Sequence, residues 1–155
     1  MRSYSEIETI IKRATKAIGF SWGISEEVGK NIKLLEMFGL PGLKNLNQYF
    51  KIYNISNFEN IGEISSSNTA KGYYCPIFCG LNFFDQSPII SKFNEIEINR
   101  IAFPLIFLSF LSRASEITGK RIFLKMDNKE FLFNFNESIY SNYLSGDILE
   151  KSDKI

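Results

Sequence analysis

The segment PLIFLSFLSRASEIT, residues 104–118, constrains the fold more than any other stretch of this chain. Proline suits a first helical turn and Gly119 follows the last residue, so the spacing predicts a helix from Pro104 to Thr118. Around that helix Ile106, Phe107, Phe110, Leu111, Ala114 and Ile117 cover most of the circumference. Ser109, Ser112, Arg113 and Glu116 share one narrow face. A helix that is apolar on nearly every side needs partners on nearly every side. It is therefore expected at the centre of the fold. The longest apolar run, residues 101–111, contains Pro104 and falls well short of the roughly 20 residues that span a bilayer. It reads as core, and a membrane association is not expected.

The N-terminal third reads as three helices. Ser3 and Glu6 have capping-box spacing, and Ile7, Ile10, Ile11, Ala14, Ala17 and Ile18 recur at helical intervals up to Gly19, predicting a helix over residues 4–18. A second helix is expected from Ser21 or Ser25 to Phe38, with Gly39 in the stop position. A third begins at Pro41 and carries Leu43, Leu46, Phe50 and Tyr53 on one face.

Residues 55–71, rich in Asn, Ser, Gly and Glu, read as a connecting loop or weak strand. YYCPIFCGLNFF, residues 73–84, reads as one or two strands, with Pro76 and Gly80 marking an edge or a bulge. NEIEINRI reads as another strand. KRIFLKMDNKEFLFNF alternates on both sides of Asp127 and Asn128, which predicts a hairpin. Beyond Glu137 the spacing is weakly helical, and the closing EKSDKI is expected to fray. The expected architecture is one α+β domain over residues 1–155. It has a helical lobe at 1–54, a connecting segment at 55–71, and a lobe at 72–155 in which a small, mainly antiparallel sheet is crossed by the buried helix.

Eighteen basic and seventeen acidic residues leave a net charge of +1 without a basic stripe or a block of like charge, so nucleic acid is not an expected partner. The chain has no histidine, which removes Cys-His dyads, Ser-His-Asp triads and histidine-containing zinc sites within one subunit. Two cysteines cannot complete a structural zinc site, so neither a metal nor another cofactor is expected. On one regular strand Cys75 and Cys79 would lie about 13 Å apart, too far for a disulfide. They read as inert core thiols, or as one thiolate at Cys75 activated by Lys71 or a helix N-terminus. Two cysteines and an N-terminus without a continuous apolar centre fit a cytoplasmic protein.

GFSWGISEEVGKN, residues 19–31, half resembles a phosphate loop. It fails that motif: Gly23 and Gly29 enclose five residues rather than four, Asn31 replaces the hydroxyl, a helix precedes it, and Glu26 and Glu27 would repel phosphate. On a helical wheel Glu27 and Asn31 project inside the apolar arc of Ile24, Val28, Ile32, Leu34, Leu35 and Phe38, while Glu26 points towards Lys30. Glu27 is thus the candidate general acid/base or cation anchor, or else a structural carboxylate bonded to Asn31 or to backbone groups of the neighbouring helix. Trp22 either covers the gap left by Gly29 or faces a ligand. Arg113 either receives an anionic group or pairs with Glu116.

Through SWGISEEVGK and GLPGL, the sequence resembles a small bacterial protein family, domain of unknown function family 3726, and the resemblance extends to CPIFCG and PLIFLSFLSRA. That resemblance implies no activity; it directs attention to Trp22, Gly23, Glu26, Glu27 and Gly29. The leading expectation is a non-catalytic small-molecule-binding or accessory protein of bacterial metabolism. Its site would lie between the lobes near Trp22 and Glu27, with Asn31, Lys30 and Arg113 as ligand contacts. Its partner would be a small molecule or a metabolic enzyme, and a homodimer is expected. The alternatives are a small metal-independent enzyme using Glu27 for proton transfer, and a structural partner subunit with an exposed apolar patch.

Overall fold

In the computed structural model, the chain is described over residues 3–53, 58–126, 129–133, 139–141 and 151–155. Helix α1, Tyr4–Ile18, opens with the capping box: the Ser3 hydroxyl accepts from the Glu6 amide and the Glu6 carboxylate accepts from the Ser3 amide. Helix α2, Trp22–Met37, is capped by Ser21, and Gly39 takes φ +76° just beyond it, a conformation that glycine adopts without strain. Helix α3, Gly42–Tyr53, completes the helical lobe. Gly42 sits in a tight contact with α2, since a Cβ there would lie 3.0 Å from Leu35.

Strand β1, Ser67–Tyr74, is followed by α4, Pro76–Asp85, the short α5, Ser87–Ile90, and β2, Glu97–Ala102. The reading of residues 73–84 as strand is thereby corrected: only Tyr73 and Tyr74 belong to β1, and Pro76 starts a helix. Gly80 marks a helix crossing rather than a bulge, since a Cβ at that position would sit 2.2 Å from Phe110. Helix α6, Pro104–Thr118, has the predicted bounds. Residues 104–112 are all buried, and α6 packs against α2, α3, α4, α5 and the two strands that directly follow it.

Strands β3, Ile122–Met126, and β4, Lys129–Phe133, form the expected antiparallel pair; Asp127 and Asn128 lie outside the described residues. The described parts of the tail are strands rather than helix. Strand β5, Ile139–Ser141, pairs with β4, and β6, Lys151–Lys154, pairs with β2. The terminus is held where fraying was expected, because Ile98 and Ile155 exchange two backbone hydrogen bonds of 2.9 Å and ladder bonds do not need apolar side chains. Residues 134–138 and 142–150 lie outside the description.

The class is α+β, with the strands divided between two small sheets. One has the order β1-β2-β6, with β1 parallel and β6 antiparallel to β2; the other is the antiparallel meander β3-β4-β5. The parallel pair follows from α4 and α5, which form the crossover that a parallel connection needs. Buried side chains from Ile11 in α1 to Ile139 in β5 form one apolar cluster. No helix among the described residues is long and apolar enough to cross a membrane.

Candidate functional site

Glu27 and Arg113 are brought together. The Glu27 carboxylate forms an ion pair with the Arg113 guanidinium, joining α2 to α6. Their side chains keep only 28% and 24% of their exposure, so the pair is partly desolvated. The guanidinium carbon also lies 4.9 Å from the centre of the Phe84 ring, over which the cation is favourably placed. Arg113 thus pairs across helices with Glu27, not with Glu116 one turn along its own helix.

Asn31 follows Glu27 by one turn and is 1% exposed, yet its amide nitrogen and oxygen have no hydrogen-bond partner among the described residues. The structural reading in which Asn31 bonds Glu27 does not hold. The Ser112 hydroxyl beside Arg113 is likewise buried and unpartnered among the described residues, while Ser109 donates to the Ile106 carbonyl at 2.7 Å. Among the described residues, the Glu27–Arg113 pair is the polar side-chain link between α2 and α6.

The other expected contacts disperse. Trp22 is 54% exposed, with the Lys12 and Lys16 ammonium groups each 5.9 Å from its ring centre, so it neither packs in the core nor meets Glu27. Nor does it cover Gly29, whose missing side chain admits the α1 backbone: a Cβ there would lie 3.0 Å from the Glu8 carbonyl. Glu26 and Lys30 are exposed on the surface of α2.

Cys75 occupies the N-cap position of α4 without a side-chain cap hydrogen bond, and Cys79 lies one turn further along. Both are buried free thiols, and burial raises both thiol pKa values above the usual range. The Tyr49 hydroxyl lies 2.7 Å from the Cys75 sulfur and is itself raised chiefly by burial. Cys75 does stand at a helix N-terminus, but burial outweighs it and leaves the thiol above its ordinary pKa, as in a core thiol rather than an activated thiolate. No group of three or more His, Cys, Asp or Glu side chains suited to a metal occurs among the described residues.

A large concavity lies elsewhere. A groove of about 890 Å³ runs between residues 93–98 and residues 121–125. Phe83, Phe107 and Leu111 contribute its apolar floor, and neither Glu27 nor Trp22 borders it. Glu95 and Glu97 stand on one wall; Lys120, Arg121 and Lys125 stand on the other. Lys120 donates to the Ser91 carbonyl at 2.9 Å. Alternation marked residues 121–126 as a strand, but no local signal says which strand of a meander is left at its edge.

Residues 2–75 match the family model described as "Protein of unknown function (DUF3726)". Comparison with curated proteins and with solved structures gives no match.

Proposed function

Taking as premise that residues 2–75 make this chain a member of the DUF3726 family, whose description names no activity, we propose a non-catalytic binding protein of accessory function whose ligand occupies the groove beside β3. The observation that carries this reading is the groove itself. Its volume of about 890 Å³ lies within the range of ligand sites, and an apolar floor between oppositely charged walls suits an amphipathic ligand. Glu27 supports the non-catalytic reading, because its carboxylate is engaged by Arg113 inside a helix seam and does not border the groove. A bacterial cytoplasmic setting is supported by the family resemblance and by two buried, unpaired cysteines.

Titration with anilinonaphthalene sulfonate, an aromatic anion, tests the reading. Saturable binding to the folded wild type, lost in Ile96→Trp, which adds bulk to the lining of the groove, is the expected result. Binding that survives Ile96→Trp, or none to the folded protein, would refute it.

A further inference from the structure

The occupant of this groove follows from the strand that borders it. β3 is the edge strand of the β3-β4-β5 meander, and no strand pairs with its outer side among the described residues. Side chains of successive strand residues point to opposite faces, yet all five residues 121–125 border the groove. The groove therefore follows the open edge of β3, where alternate backbone N–H and C=O groups point outward. On the outer face of the same sheet, Phe123, Leu132 and Tyr140 lie opposite one another in register, and Phe123 and Tyr140 are 61% and 55% exposed. This apolar row stops at the edge that the groove follows.

Resting on the groove as the binding site, we propose that it takes an extended acidic-apolar peptide segment of a partner protein, added to β3 as a fourth strand. Residues of the segment that face the core fill the groove over Phe83, Phe107 and Leu111, and those on the other face extend the Phe123-Leu132-Tyr140 row. The charges set the rest of the pattern. Arg121 and Lys125 flank Phe123 on its exposed face, so acidic residues opposite them and an apolar residue opposite Phe123 complete the cross-strand pairs. Glu95 and Glu97 on the far wall repel such acids and favour their seating against β3. A second copy is a poor occupant: antiparallel self-pairing centred on Phe123 places Arg121 opposite Lys125 of the other copy, like charges in direct opposition.

The test uses the full chain and fluorescently labelled peptides. A peptide containing Glu-Val-Phe-Val-Glu, whose pattern reads alike in both directions, is expected to bind about tenfold more tightly than one containing Lys-Val-Phe-Val-Lys. Replacing its central Phe by Pro, which removes an N–H from the ladder, should abolish binding. In Arg121→Glu/Lys125→Glu, changed at two exposed positions, the order of the charged peptides should reverse, and bound peptide should slow hydrogen exchange at alternate amides of residues 121–125. Absent binding, an unchanged order in the double variant, or protection confined to other strands would overturn the proposal. If anilinonaphthalene sulfonate fills the groove but the peptide does not bind, the strand assignment fails and the groove reading stands; if neither binds, both fail.

Discussion

Glu27 and Arg113 form an ion pair that ties the helical lobe to the central helix, with the guanidinium held over Phe84 and the carboxylate withdrawn from the groove. Partly desolvated, the pair bridges α2 and α6 and helps to fix how the two helices pack.

Removing one member of the pair leaves the other partly desolvated and unpaired. Glu27→Gln and Arg113→Met should each lower stability by about 1–2 kcal/mol, or roughly 2–8 °C in Tm for a chain of this size. The double variant should lose less than the sum. Urea unfolding of the four proteins measures this coupling; strict additivity would show that the two side chains do not support each other.

Asn31 gives the opposite sign. Both polar atoms of its buried amide have no partner among the described residues, so Asn31→Leu, similar in shape and apolar, should be neutral or stabilising by about 1 kcal/mol. A loss of more than about 2 kcal/mol on urea unfolding would mean that the amide makes bonds that stabilise the seam.

Helices α4 and α6 meet at Gly80. Adding a methyl group places a carbon 2.2 Å from the Phe110 ring, which is itself buried. Gly80→Ala should cost about 2–3 kcal/mol through overpacking, whereas Gly62→Ala, with no atom within 4 Å of the new carbon, should change little. Thermal denaturation of the two variants side by side checks the contrast.

The buried thiols give a pH dependence. Cys75 and Cys79 have raised pKa values when folded, so above their ordinary value of 9.0 the unfolded chain releases protons that the folded chain retains. Fewer bound protons in the unfolded state make stability fall as pH rises. Their contribution is complete below about pH 8 and declines above pH 9, and the raised Tyr49 adds a further loss above its ordinary value of 10.0. Urea midpoints from pH 7 to 10.5 should show this decline. A thiol reagent should label neither cysteine at pH 7 until the protein unfolds.

How far this was legible in the sequence depended on the range of each signal. The bounds of α1 and α6 are written in local chemistry: Ser3 with Glu6, and Pro104 with Gly119. Residues 73–84 were misread because a helix buried on several sides and a buried strand share the same continuous apolar run, and Pro76 fits a helix start as well as a strand edge. The helical wheel singled out Glu27 correctly as partly buried, but its partner Arg113 lies on a helix remote in the chain. Trp22 was misplaced because helical phase fixes which residues share a face, not whether another element covers it. The groove depends on where β3 stops pairing, a property of the assembled sheets.

The most direct measurement is a thermal-shift screen of metabolites and peptides run on wild type, Glu27→Gln and Ile96→Trp together, since a ligand that binds the folded state raises its apparent stability. The account predicts hits that stabilise wild type and Glu27→Gln by the same increment over their own baselines and leave Ile96→Trp unmoved. Hits that stabilise Ile96→Trp as they do wild type but vanish in Glu27→Gln would contradict it and place the site at the α2–α6 seam.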